Sequence, residues 1–342
     1  MSEKSDRLLG IQAARGVAAL LVLLFHVENA FSWILGYVPA GGVFGFGHAG
    51  VDFFFVLSGF IIYLVHERDI GQAGTLGRYA WRRAMRIYPL YWLATAVFFA
   101  IAYLPGLWSQ PVAPGWVAAS LLLLPQERVP LLEIGWSLQH EMVFYVVFGL
   151  LIANRTAGLV VCAVWLAAIG RGIVVAPAGG QLMDFASAFD LQFFMGMGAA
   201  YVVRHWRVAT PRLLGALGAG GFALAAWLEL GGVIGGGSAW GRLAYGAASM
   251  LLVVGLATGE RRGLLRFGNW AARFGGMSYA LYLFHPLILG LIGGVWTLAG
   301  AGAILPGWLL VGGAIAANLL ICGWLHHGIE TPVLVRLRAL AR

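Results

Sequence analysis

Apolar residues gather along this chain into long runs that short polar segments interrupt, and the runs have the length of a bilayer crossing. They lie at 11–31, 50–66, 88–104, 137–153, 157–176, 188–203, 212–231, 239–258, 277–297 and 305–325, each close to the ~20 apolar residues that a transmembrane helix needs. The pattern predicts an all-α, polytopic transmembrane helical bundle of about ten spans. No stretch between the runs is long enough to fold separately. Residues 1–342 are therefore expected to form one integral-membrane domain, with short tails at 1–10 and 326–342.

Two regions break the rhythm. Between the third and fourth runs, Pro105, Pro111, Pro114, Pro125 and Pro130 bracket the apolar stretch from Trp116 to Leu124, which is too short to cross. It should lie at the outer interface or dip back in, either as a structured loop without chemistry or as a lid over an acceptor. The second region runs from Arg78 to Pro89. As a helix it makes Arg82 and Arg83 neighbours of Arg86, one turn away.

Composition agrees with the pattern. The chain is 61% hydrophobic and 11% charged with a mean hydropathy of +0.84, far from soluble-domain usage. The net charge of +8 invites an anionic or nucleic-acid partner, but its distribution points to topology instead. With the N-terminus inside, the cytoplasmic segments hold Lys4, Arg7, Arg68, Arg78, Arg82, Arg83, Arg86, Arg155, Arg204, Arg207, Arg212, Arg261, Arg262, Arg266, Arg273, Arg336, Arg338 and Arg342, while Arg128, Arg171 and Arg242 fall outside. This positive-inside bias supports an even number of spans with both ends cytoplasmic. Cys162 and Cys322 fall within helices and are expected to pack rather than pair. The first run is read as a retained helix, not a signal peptide, because it lacks a clear small-residue cleavage site. Most of the 50 glycines are expected to let helices approach closely.

Candidate chemistry begins inside the first run, where Arg15 and His26 interrupt an otherwise apolar helix. Eleven residues place them about 20° apart around the helix and about 16 Å apart along it, so one face holds a cation near one surface and an imidazole deeper in. Ionisable groups in lipid are expensive and point to function; the alternative is an arginine that snorkels and a helix-end histidine. The cluster around Arg83 and Arg86 suits a phosphate, since each guanidinium is a planar fork of donors with a permanent charge. Flanking positive charges that attract anionic lipid are the other reading.

The motifs in order resemble the acyltransferase-3 family of integral-membrane acyltransferases. Arg15 and, eleven residues on, His26 come first. Gly50-Val-Asp52-Phe-Phe-Phe-Val-Leu-Ser58-Gly59-Phe60 and Arg83-Ala-Met-Arg86 follow, then Trp136-Ser-Leu-Gln-His-Glu141-Met-Val-Phe-Tyr145, Ser278-Tyr-Ala-Leu-Tyr-Leu-Phe-His285-Pro286 and Ile329-Glu330-Thr-Pro332. The resemblance spans about residues 8–335. It implies transfer of an acyl group, usually acetyl from cytoplasmic acetyl-CoA, to a hydroxyl of a glycan or other membrane-associated acceptor. It also implies roles for Arg15, His26 and the Arg83/Arg86 pair. Some members add an esterase-like domain; this chain resembles the stand-alone O-acetyltransferase type. His48 stands where family sequences more often have a small residue and receives no role.

Acyl transfer from a thioester to an alcohol needs a base for the hydroxyl proton and donors for the developing oxyanion. His26 is the preferred base, because imidazole can be neutral near physiological pH. Glu141, expected at a depth comparable with His26, would orient the imidazole or stabilise its protonated form, or else serve a structural pairing. Asp52, expected at the outer mouth of the second helix, would bind acceptor hydroxyls or answer the helix dipole. Ser58 would donate to the thioester carbonyl or to backbone, and His285 would touch the coenzyme arm or satisfy the backbone beside Pro286. Direct transfer in a ternary complex is expected, with no acyl-enzyme.

The resulting expectation is a bacterial inner-membrane O-acyltransferase. Its acyl donor is acetyl-CoA, its acceptor a glycan or lipid-linked molecule, and its surroundings membrane lipid, with neither metal nor nucleic acid involved. A transporter or channel for an anionic solute is the second reading. A lipid-binding structural membrane protein is the third.

Overall fold

A computed structural model describes residues 8–102, 113–175 and 184–339. The expected runs become helices, with ends that follow local chemistry. They are α1 (Leu9–Leu35), α2 (Gly50–His66), α3 (Leu76–Ala102), the short α4 (Pro114–Leu121), α5 (Trp136–Ala153), α6 (Arg155–Val175), α7 (Ala188–His205), α8 (Pro211–Leu230), α9 (Ala239–Arg261), α10 (Asn269–Gly276), α11 (Ser278–Leu298), α12 (Ala301–Ile304), α13 (Gly307–Leu325) and α14 (Thr331–Ala339). Proline at the first turn opens α4 and α8, where its missing N–H removes no helical bond. A capping box of Ser187 and Asp190 opens α7. The first backbone N–H groups of α1 donate to the carboxylate of Glu260 on α9, at 2.8 Å each, so a distant side chain meets the positive end of that helix.

Among the described residues nine helical stretches are long and apolar enough to cross a bilayer. The expected span at 188–203 is the helix α7, 18 residues long and hence about 27 Å, but it is not one of the nine. Asp190 and Gln192 lower its hydropathy, and both are fully buried. Their polarity points into the bundle, where lipid does not meet it.

Helix α1 packs on α2, α10 and α11, while α2 crosses α7 and α8 crosses α9. At the α2–α7 crossing a Cβ on Gly59 would overlap the carbonyl of Phe193, and one on Gly196 the carbonyl of Val56. Glycine is required there because the two backbones nearly touch, the small-residue device of membrane helix pairs. Cys162 and Cys322 are buried and unbonded, as packing residues should be.

Helix α3 starts at Leu76, twelve residues before the expected run, because the segment holding Arg78, Arg82, Arg83 and Arg86 is one continuous helix with it. The proline-rich region beyond α3 contains the eight-residue α4; Pro105 and Pro111 lie outside the described residues. The carbonyls of Ser120, Leu121 and Leu122 accept from Tyr91 Oη, Trp92 Nε1 and Tyr88 Oη at 2.8, 2.9 and 2.8 Å. Gln139 Nε2 donates to Leu124 O at 2.5 Å. These donors sit midway along α3 and at the start of α5, so the segment folds back alongside the helices. Irregular backbone survives at such depth only when side chains meet its polar groups.

Candidate functional site

Helices α1, α2, α3, α5 and α11 bring the sequence candidates into two adjoining groups, one around arginines and one around histidines. In the first, Ser58 on α2 donates its hydroxyl to Glu141 Oε1 on α5 at 2.7 Å, and Tyr145, one turn further along α5, donates to the same oxygen at 2.6 Å. Arg83 lies 5.9 Å over the Tyr145 ring. Arg86 donates to Glu330 Oε1 at 2.8 Å and lies 5.0 Å over Tyr279. His326 donates from Nδ1 to the other Glu330 oxygen at 2.7 Å, across the π-helical turn His326–Glu330. Arg15 reaches the same region: Arg86, Glu330 and Glu141 all act on its charge, and its guanidinium donates to Gln12 Oε1 on its own helix at 3.1 Å.

The arginines are not equivalent. Arg86 is committed to Glu330, whereas among the described residues Arg15 and Arg83 form no ion pair. Nε of Arg83 is buried without a hydrogen-bond partner among the described residues. Two guanidiniums without a carboxylate partner are suited to an anionic ligand.

In the second group His26 on α1 and His285 on α11 meet edge to face, ring centroids 4.6 Å apart at 67°. Each donates from Nδ1 to the carbonyl four residues earlier on its helix, His26 to Val22 at 2.8 Å and His285 to Leu281 at 2.9 Å. A carbonyl only accepts, so Nδ1 must carry the hydrogen and the neutral ring presents Nε2 as its basic nitrogen. His285 is fully buried and its Nε2 has no partner among the described residues. His26 is partly accessible, flanked by Phe25 at 5.1 Å. Each ring thus keeps Nε2 as its basic nitrogen, about 16 Å beyond Arg15 along α1.

Glu141 does not contact His26. It belongs with Ser58, Tyr145 and the arginines, because α5 starts deep: Ser137 in its first turn bonds to Tyr282, one turn before His285 on α11. Glu141 therefore lies a further turn toward the arginines, and the carbonyl of Val22 takes the orienting place beside His26. Asp52 also differs from expectation. It does not stand at an open mouth but is completely buried, accepting from Arg242 at 2.6 Å on one oxygen and from Gln192 at 2.5 Å on the other. Arg242, expected among the outer-loop charges, lies in the first turn of α9. It also donates to His48 Nδ1 at 2.9 Å. His48 in turn donates from Nε2 to Glu229 at 2.7 Å, and Tyr245 donates to the second Glu229 oxygen at 2.5 Å.

Sequence reasoning gave no role to Glu330, Tyr145, Tyr279, His48, Arg242 or Glu229. Tyr145, Tyr279 and Glu330 fall inside the quoted motifs, so a pairing rule for buried charges would have asked which carboxylate faces Arg86. Nothing local marks the remaining three as partners.

The acyltransferase domain family matches residues 8–327. Exopolysaccharide production protein ExoZ of Rhizobium meliloti (strain 1021) is 34% identical over 329 residues, covering 93% of this chain and 96% of that protein. No solved structure matches the chain significantly. With a polytopic helical bundle and its arginine and histidine groups already in place, these matches set aside the transporter and lipid-binding readings: the chain belongs to the acyltransferase-3 family and is an integral-membrane acyltransferase.

Proposed function

We propose that this protein moves an acetyl or other short acyl group from cytoplasmic acyl-CoA to a hydroxyl of a polysaccharide, in a bacterial inner membrane with both termini cytoplasmic. The observation that carries this reading is His26, an intramembrane imidazole whose Nδ1–H is held by Val22 O and whose Nε2 is left as a base. Nε2 takes the acceptor's hydroxyl proton as that oxygen attacks the thioester carbonyl; the C–S bond breaks, and the proton passes to the departing thiolate, giving ester and free thiol. His285, packed on His26, fixes the ring and borders the coenzyme arm. Arg15, Arg83 and Arg86 supply positive charge for the coenzyme's phosphates, Arg86 by exchanging part of its contact with Glu330. Ser58 donates to the thioester carbonyl by turning its hydroxyl away from Glu141. Asp52 positions Arg242 and so shapes the acceptor side.

The polysaccharide acceptor is favoured by the relative's printed role in exopolysaccharide production. The cytoplasmic donor is favoured by the arginine-rich start of α3. The test uses purified protein in proteoliposomes supplied with radiolabelled acetyl-CoA and envelope polysaccharide. Label entering the glycan, and lost in H26A, supports the reading. Folded wild-type protein that leaves the glycan unlabelled with both substrates present overturns it.

A further inference from the structure

At the inner ends of α2 and α3 two buried nitrogens have no partner among the described residues: Nε of Arg83 and Nε2 of His66. His66 closes α2, is 2% exposed, and donates from Nδ1 to Asp69 Oδ2 at 2.7 Å. That bond decides which end of the ring is left over. The ring stands edge-on to Tyr79, centroids 5.0 Å apart at 90°. Tyr79 and Arg83 are one turn apart on α3. The Tyr79 hydroxyl donates to the carbonyl of Tyr145 at 3.0 Å, the same tyrosine that lies under Arg83. Arg82 and Arg83 act on the charge of His66, as does Asp69, and Arg82 is exposed.

Buried polar groups without partners are uncommon and costly. Two of them on adjacent helices, beside a third cation, suit one acceptor-rich anion. Asp69 already occupies the far nitrogen of His66, where a carboxylate favours the imidazolium once an anion reaches Nε2. A phosphate oxygen reaching Nε2 favours a proton on that nitrogen. Nε2–H then donates to phosphate oxygen alongside the Arg83 guanidinium.

We propose that His66, Arg83 and Arg82 form a phosphomonoester subsite that holds the 3′-phosphate of the acyl-CoA donor. The assignment rests on the acyl-CoA reading above. The thioester must travel inward to His26, about 16 Å past Arg15 along α1, which leaves the nucleotide end of the coenzyme at the mouth where these three residues stand.

The experiment measures binding of acetyl-CoA and of 3′-dephospho-acetyl-CoA to the purified protein in nanodiscs, one set of zwitterionic lipid and one containing anionic lipid. Wild type is expected to bind the dephospho form about tenfold more weakly, as loss of a charge-assisted contact predicts. H66A is expected to bind the two forms within about twofold of each other. R82A, at an exposed position, is expected to narrow the difference as well and serves if H66A fails to fold. Equal binding of both forms by wild type, or full discrimination retained in both variants, overturns the subsite while leaving the acyl-CoA donor in place. Affinity that follows the anionic lipid and ignores the 3′-phosphate overturns it in favour of a lipid headgroup. Wild-type protein that binds neither form removes the acyl-CoA reading and the subsite with it.

Discussion

Arg242 and Arg83 are both arginines held within one helical bundle, yet their surroundings are built in opposite ways. Around Arg242 carboxylates meet the charge: Asp52 and His48 accept from the guanidinium, Glu229 accepts from His48 and Tyr245, and Gln192 fills the second Asp52 oxygen, while Nε of Arg242 and Oε1 of Gln192 have no partner among the described residues. Around Arg83 and Arg15 the donors outnumber the acceptors, and among the described residues no carboxylate pairs with either. A buried charge with its partners in place joins helices. One without a carboxylate partner is suited to a ligand that brings an anion. Arg86 stands between the two cases, at the same end as Arg83 but paired to Glu330.

The comparison predicts that variants at the open end lose activity and keep stability, while variants at the closed end lose stability first. The largest expected effect belongs to His26→Ala, where removal of a positioned base costs about 10²–10⁴ in turnover, roughly 3–5 kcal/mol. Coenzyme affinity and thermal unfolding of the purified variant should stay as in wild type. Near-normal turnover would remove His26 from the chemistry and leave Glu141 as the next base to test.

Arg242→Ala should lower stability by about 3–5 kcal/mol, since it leaves Asp52 buried and uncompensated. Adding Asp52→Asn should restore part of that loss in detergent unfolding curves. An Arg242→Ala protein that unfolds normally but no longer transfers the acyl group would break the comparison, because the closed network would then be part of the reaction.

Arg83→Ala is expected to weaken acyl-CoA binding by roughly 10–100-fold, the value of a charge-assisted hydrogen bond, with the unfolding midpoint unchanged. Arg83→Lys should recover only part, because an ammonium keeps the charge and loses the fork. Titration calorimetry on the two variants checks both statements, and full rescue by lysine would reduce Arg83 to a point charge. The smallest effect is expected for Gly196→Ala at the α2–α7 crossing, about 1–3 kcal/mol of destabilisation from overpacking. Because α2 carries both Asp52 and Ser58, a measured separation of the helices there should disturb the closed and the open regions together.

Much of this was legible along the chain. Arg15 and His26 share a helix, so their spacing alone gives their common face and their separation in depth. The span limits follow from apolar run length, and the one large shift, the start of α3 at Leu76, reflects a segment too polar for a hydropathy run yet continuous as a helix. Helix α7 shows the converse, a helix whose buried Asp190 and Gln192 make it look less like a span than its neighbours. Depth along α5 was misjudged because the segment before it folds back, which places Glu141 with the arginines; run length carries no sign of that. The split between Arg83 and Arg86 was equally hidden, since two arginines three residues apart read alike until Glu330 is placed beside one of them.

The sequence by itself determined the class of the protein, the helices, the polar residues inside them, the bias of positive charge and the ordered motifs of the acyltransferase-3 family. Each of these depends on neighbours within one helical segment, where 1.5 Å of rise and 100° of turn per residue leave little freedom. Only the tertiary structure decided which charge meets which. His26 and His285, Asp52 and Arg242, and Arg86 and Glu330 each join distant segments, and their pairing depends on which helices pack together and at what depth. Packing of that kind is set by close backbone contacts such as the Gly59–Gly196 crossing, and no local spacing records it.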